Sequence, residues 1–201
     1  MTPTSLTSGP AGAGAPVRKA APDAGATVRP AVEGDVAAIA AIYGHHVLHG
    51  TASFETEPPG VEEMARRRAA LLEAGYPYLV AECGGEVLGY AYASAYRPRA
   101  AYRHTVENSV YLRADVSGRG IGSLLLAALI EACEARGYRQ MVAVVGDSAN
   151  AASIRLHERH GFRLVGTLRS VGHKHGRWLD TVLLQRTLGA GDTAPPGLRN
   201  G

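Results

Sequence analysis

The chain has 201 residues, 46% of them apolar, and a formal net charge of +3. That length suits one domain with a real core. No apolar run approaches the roughly 18 residues of a membrane span, so no membrane partner is expected. Arginine carries most of the positive charge, because the chain has only two lysines, Lys19 and Lys174. Without a lysine-rich run, no nucleic-acid partner is expected, and a basic pocket for an anionic ligand fits better. The N-terminus has no continuous apolar segment, so no secretory signal is expected. Cys83 and Cys133 are far apart and lack metal-ligand spacing, as in a reduced, cytoplasmic protein.

Residues 1–26 are small, Pro-rich and nearly free of large apolar groups, so a disordered tail is expected. The folded unit then spans 27–188, and 189–201 reads as a flexible C-terminal tail. Val28 to Ala31 reads as a strand. Asp35 is placed to cap a helix whose Val36, Ile39, Ala40, Tyr43 and Val47 recur at helical spacing. Thr51 to Pro59 is a loop, and Val61 to Ala74 an Arg-rich helix ending at Gly75. Strands over Tyr78 to Cys83 and Glu86 to Ser94 are joined by Gly84-Gly85, a two-residue hairpin turn. Thr105 to Arg113 is the next strand. The helix after Ile121 precedes Met141 to Val145, an apolar run typical of a buried strand. Ala151 to His160 is a short helix closed by Gly161. Phe162 to Leu168 and Trp178 to Arg186 form a final antiparallel pair. The order gives a mixed α/β (α+β) domain, a sheet with helices on its faces.

The segment from Thr105 to Ser123 carries the most chemistry. Strand alternation puts Thr105, Glu107, Ser109 and Tyr111 on one face and Val106, Asn108, Val110 and Leu112 on the other. A mid-strand carboxylate is costly to bury unless it is paired or functional. Glu107 is therefore either half of an ion pair with a nearby arginine or a working base. The turn Gly118 to Ser123 then opens directly into an apolar helix. Several backbone N–H groups converge at such a turn, and the helix dipole adds partial positive charge, which makes an anion site. The turn lacks the Gly-Lys-Ser/Thr ending of a nucleotide P-loop. It also lacks the third glycine of a dinucleotide fingerprint, since Ser123 stands there. The N–H groups of Arg119, Gly120, Gly122 and Ser123 are the expected donors.

The run Ser117-Gly118-Arg119-Gly120-Ile121-Gly122 resembles the pyrophosphate-binding loop of the GNAT N-acetyltransferases. Asn150-Ala151-Ala152-Ser153-Ile154-Arg155-Leu156-His157-Glu158-Arg159-His160-Gly161-Phe162 resembles the second signature of the same family. In that pattern the asparagine, here Asn150, hydrogen-bonds the pantetheine arm, and the helix carrying Ser153 lies along the cofactor. His157 takes the place of a tyrosine that often protonates the departing thiolate, and an imidazole can also donate a proton near neutral pH. Three further stretches, Thr51 to Pro58, Tyr102 to Tyr111 and Gly172 to Asp180, resemble the phosphinothricin N-acetyltransferases. Methionine sulfoximine and methionine sulfone acetyltransferases belong to the same group.

The resemblance implies acetyl-CoA as co-substrate and a seven-stranded, mostly antiparallel sheet with helices on both faces. It implies that Val110, Tyr111 and Leu112 pair with the pantetheine amides, and that Gly118 to Ser123, including Ile121, holds the pyrophosphate. It makes Glu107 the base. It turns Phe54, Tyr102 and Arg103 toward the substrate, with Asn108 and Ser109 beside them, and it implies a homodimer. Acyl transfer needs a neutral amine, because an ammonium has no lone pair, and a carboxylate of raised pKa can take that proton. Neither cysteine has a base beside it, so direct attack on the thioester is expected.

His45, His46 and His49 lack the glutamate and the third ligand of a zinc site, so no metal is expected. His173, Lys174, His175 and Arg177 read as a solvated basic turn, with a role near the substrate carboxylate or the dimer seam as the alternative. The expected function is acetylation of the α-amino group of phosphinothricin, methionine sulfoximine, methionine sulfone or a similar amino acid. The alternatives are acetylation of protein N-termini or other small amines, and a non-catalytic acetyl-CoA-binding module.

Overall fold

The computed structural model describes residues 25–196. Strand β1 (Thr27–Pro30) leads into helices α1 (Val36–His49) and α2 (Val61–Glu73), then strands β2 (Tyr78–Cys83), β3 (Glu86–Ala95) and β4 (Thr105–Leu112). Helix α3 (Ile121–Ala135), strand β5 (Gln140–Gly146) and helix α4 (Ala151–Arg159) follow, and then a long hairpin of β6 (Arg163–Lys174) and β7 (Arg177–Thr187). The seven strands form one sheet in the order β1-β2-β3-β4-β5-β7-β6. β4 and β5 run parallel, and every other neighbouring pair is antiparallel.

The apolar spacing decides which helix faces are buried. Val36, Ile39, Ala40, Tyr43 and Val47 of α1 are all buried, and with Met64 of α2 they pack on Tyr78, Val80 and Tyr90. On the opposite face of the sheet, Leu125, Leu126, Leu129 and Cys133 of α3 are fully buried against Val106, Met141 and Leu184. Burying a leucine completely contributes about 1.5–3 kcal/mol. Helices thus cover both faces, as a sheet apolar on both sides requires.

Several expectations need correction. Asp35 does not cap α1 through its side chain. Its carboxylate instead accepts from Arg29 at 2.7 and 2.9 Å and from the Val32 N–H at 2.8 Å. The strand after Phe162 does not stop near Leu168 but runs on to Lys174. Its register with β7 shifts between Leu168 and Gly172, where Ser170 takes a φ of 53° and its N–H donates to Asp180. A bulge of this kind bends a strand without ending it. Lys174 is buried rather than solvated, with its Nζ donating to the Ser53 carbonyl at 2.7 Å. Beyond β7, Leu188 is fully buried, and residues 189–196 form turns that hydrogen-bond to Arg139 and Leu188. The rest of both expected tails, 1–24 and 197–201, lies outside the described residues.

One irregularity positions the site. β4 and β5 are in register only from Thr105↔Gln140 to Asn108↔Ala143. β4 continues beside β3 to Leu112, while β5 continues beside β7 to Gly146. The two parallel strands therefore part after Asn108 and leave a wedge between them.

Candidate active site

The wedge is an open cleft walled by Asn108, Val110, Tyr111, Val145, Asn150 and His157, among others. Sequence reasoning placed five of these six in the site, and the structure brings them together from β4, β5 and α4. Arg113, just past β4, donates its N–H to Leu88 of β3 at 2.9 Å. Strand alternation therefore turns the N–H groups of Val110 and Leu112 toward the missing neighbour. The Leu112 carbonyl is not free for a ligand, because it contacts His46 Nε2 at 2.7 Å. A carbonyl only accepts, so His46 must carry its proton on Nε2.

Glu107 is half-buried and stands opposite Ser94 of β3, on the face where Tyr90, Tyr92 and Tyr111 stack. No described residue forms an ion pair with it. Burial pushes its carboxyl above the usual carboxylate value, and the Arg97 charge opposes part of that rise. The Arg97 guanidinium lies 4.9 Å above the Tyr96 ring. Sequence reasoning missed Arg97 because nothing in the spacing ties the β3–β4 connection to Glu107. Tyr102 and Arg103 lie on that same connection and are exposed, and Arg103 donates to the Ala100 carbonyl at 3.3 Å. Ser109 is half-buried and pairs in register with Tyr92.

Asn108 does not share the Glu107 face. Its side chain is buried, with Nδ2 donating to the Val142 carbonyl at 3.1 Å and Oδ1 lying 3.0 Å from His157 Nε2. The Asn108 side chain is thus turned to the wall of the wedge and away from the Glu107 face. His157 is buried on α4, edge-on to Phe162, with Nδ1 at 2.8 Å from the Ser153 carbonyl. Burial lowers its pKa, and the Ser153 carbonyl offsets part of the effect. Asn150 caps α4, its Oδ1 accepting from the Ser153 N–H at 3.2 Å.

The glycine-rich turn has the expected form, with a narrower set of donors. Gly118 and Gly120 take φ of 80° and 85°, and at Gly118 open space surrounds the place where a side chain would start. Two expected donors are engaged internally: the Arg119 N–H with Val116 at 3.3 Å and the Ser123 N–H with Gly120 at 3.0 Å. Among the described residues, the N–H groups of Gly120, Ile121 and Gly122 meet no backbone acceptor. Three converging donors at the start of a 15-residue helix remain a fit for a phosphate-bearing ligand. The Ser123 hydroxyl lies 2.7 Å from His160 Nε2.

Phe54 is held by a device that the sequence signals only faintly. A Cβ at Gly146 would stand 2.9 Å from Phe54 Cε1, and one at Gly172 2.4 Å from Cε2. The ring thus lies against two strand glycines, and a glycine inside a strand is a known sign of close approach. The loop carrying it is tied down on several sides. Tyr43 Oη bonds Ser53 Oγ at 2.8 Å and Glu55 at 2.9 Å, Arg67 donates to Glu55 at 2.7 Å, and Thr51 reaches Asp147 at 3.2 Å. Arg177 also pairs with Asp147.

The sheet order, the parted strands and the glycine turn define an acetyltransferase of the GNAT class, and the chain belongs to that family. The family model described as an acetyltransferase (GNAT) domain matches residues 28–183. Within the family the chain is 57% identical over 170 residues to the phosphinothricin N-acetyltransferase of Alcaligenes faecalis, covering 85% of this chain and 86% of that protein. It is 45% identical to the L-methionine sulfoximine/L-methionine sulfone acetyltransferase of Pseudomonas paraeruginosa, covering 85% of this chain and 99% of that one. The crystal structure of a phosphinothricin acetyltransferase from Sinorhizobium meliloti in complex with acetyl-CoA superposes with a TM-score of 0.83 at 48% identity, covering 86% of this chain and 93% of the other.

Proposed function

We propose that this chain transfers the acetyl group of acetyl-CoA to the α-amino group of phosphinothricin, methionine sulfoximine, methionine sulfone or a similar small amino acid. The observation that carries this reading is Glu107, a half-buried carboxylate of raised pKa on the strand that forms one wall of the wedge. The N–H groups of Gly120, Ile121 and Gly122 suit the pyrophosphate, and those of Val110 and Leu112 suit an amide-bearing arm in the wedge. The thioester supplies an activated acetyl carbonyl. Glu107 takes the proton that the ammonium must lose before its nitrogen attacks. His157, on the wedge wall, donates a proton to the sulfur as the thiolate leaves. Arg103, with Arg97 nearby on the same connection, supplies positive charge for the carboxylate or phosphinate of the substrate.

The working unit in this proposal is a cytoplasmic homodimer. Among the described residues Cys83 and Cys133 form no disulfide, and no helix is long and apolar enough to cross a membrane. Leu164, Val165, Leu168, Val171 and Trp178 are each about half exposed or more on the β6–β7 hairpin, a surface suited to a second copy.

The deciding experiment is Glu107→Gln, which keeps size and much hydrogen bonding but removes the basic site. Turnover falls by about two to four orders of magnitude, while acetyl-CoA affinity by calorimetry stays within twofold. Near-wild-type turnover across neutral pH would rule out Glu107 as the base. Equal use of a decarboxylated analogue by the wild type would leave a general amine acetyltransferase.

A further inference from the structure

Asn108 sits at the last rung of the β4–β5 pairing, where the wedge opens. Its amide cannot turn freely. Nδ2 donates to the Val142 carbonyl of β5 at 3.1 Å, and a carbonyl can only accept. The amide oxygen must therefore face His157 Nε2, 3.0 Å away, and it too only accepts. On the far side of the ring, Nδ1 lies 2.8 Å from the Ser153 carbonyl in the first turn of α4. Both ring nitrogens thus face acceptors. A neutral imidazole carries one N–H, so in either tautomer one of these oxygens meets a ring lone pair. The imidazolium, with an N–H on each side, satisfies both. The Asn108 amide cannot flip to present its NH2 to the ring, because Val142 of β5 holds that group, and the Ser153 backbone carbonyl can only accept.

We infer that Asn108 is a positioning residue for acyl transfer: clamped by Val142, its oxygen aligns the His157 ring on the wedge wall and favours the doubly protonated ring that can donate to the departing sulfur. The inference deepens the proposed acid role of His157 and rests on it. The proton balance closes. Glu107 gains a proton from the ammonium, the neutral amine nitrogen bonds the acetyl carbon and gives up its second proton to water as the amide forms, and the carbon–sulfur bond breaks. The sulfur then takes the Nε2 proton and leaves a neutral ring. That ring has lost one of its two hydrogen bonds, which favours its return to the protonated state from solvent.

Opposing influences on the ring are few. Phe162 and the surrounding core desolvate it, which disfavours charge, and His160 at the end of α4 repels a second positive charge. Asn108 from β4, and the Ser153 carbonyl from α4 itself, act the other way.

The test compares the full-length wild type with Asn108→Leu, which removes the oxygen, and Asn108→Asp, which makes it anionic. The titration of His157 is read from the ring ¹⁵N resonances. Losing a hydrogen bond to a charged group lowers the midpoint in Asn108→Leu by about 1–2 pH units, and Asn108→Asp raises it above the wild type. The high-pH limb of kcat moves in the same sense in each variant, while KM for acetyl-CoA changes by less than about twofold. A purely structural role for Asn108 would change stability without moving that limb. If Asn108→Leu does not fold, Asn108→Asp alone decides. Equal His157 midpoints in wild type and variants would overturn the inference and leave the acid role of His157 standing. Full turnover by His157→Phe would instead remove the acid role, whatever the midpoints.

Discussion

Replacing Gly172 by alanine tests how Phe54 is held. The new Cβ would stand 2.4 Å from Phe54 Cε2, 2.6 Å from Cδ2 and 3.1 Å from Cζ. Carbon atoms in contact settle at about 3.5–4.0 Å, so the ring must move by about 1 Å or more. It has little room toward Gly146, where even an added Cβ would stand 2.9 Å from Cε1. The loop resists as well, held by Lys174 at Ser53 and by Tyr43 at Ser53 and Glu55. Overpacking of this kind costs about 1–3 kcal/mol. For a chain of this size that lowers Tm by roughly 2–12 °C. If Phe54 faces the substrate, displacing it also raises KM for the amino acid, with little effect on KM for acetyl-CoA. The assay is thermal unfolding plus steady-state kinetics on Gly172→Ala, Phe54→Ala and the double variant. Once the ring is gone the added methyl has nothing to strike, so the second substitution costs far less in the double variant than in the wild type. Additive losses, or a Gly172→Ala protein with unchanged Tm and KM, would refute the reasoning.

Other expectations follow from the same geometry. Gly120→Asp places a side chain and a negative charge at the turn and forces a φ of 85° on a residue with a Cβ. Acetyl-CoA affinity falls steeply by calorimetry while the fold, read by circular dichroism, persists. The Asp147 carboxyl is held below its ordinary value by Arg177, the Ala149 N–H and Thr51. Its stabilisation is complete above the unfolded carboxylate value of about 4 and fades as pH falls through the lower folded value. Asp147→Asn is therefore less stable than wild type at neutral pH, and the gap in Tm narrows below about pH 4. Trp178→Asp places charge on the exposed apolar hairpin, and light scattering should then show a shift toward monomer.

Periodicity made the fold legible. The spacing in α1, the glycine pair at 84–85 and the apolar run in β5 each encode one local conformation, and all formed. The extent of β6 was hidden because its bulge at Leu168 to Gly172 depends on Asp180, a partner ten residues from Ser170. The cofactor side of the site was legible because its signatures are contiguous. Asn108 shows the limit. Alternation assigned it to the face away from Glu107, yet resemblance drew it toward the substrate, and its contacts with Val142 and His157 involve residues 34 and 49 positions away, which no local pattern reveals. Lys174 looked like a solvated charge because sequence does not reveal that Ser53, 121 residues away in the chain, offers it a carbonyl.

The parting of β4 and β5 places an unpaired strand edge inside a sheet instead of at its rim. Exposed edges ordinarily recruit other chains and start aggregation. Here the open rungs lie inside a wedge between two strands of the same sheet. A slender arm bearing amides can dock as a substitute strand, in the manner of β-augmentation. A neighbouring polypeptide, with side chains projecting on both sides, is too bulky to follow it. A gap of that shape disfavours the partners most able to turn a loose edge into a fibril.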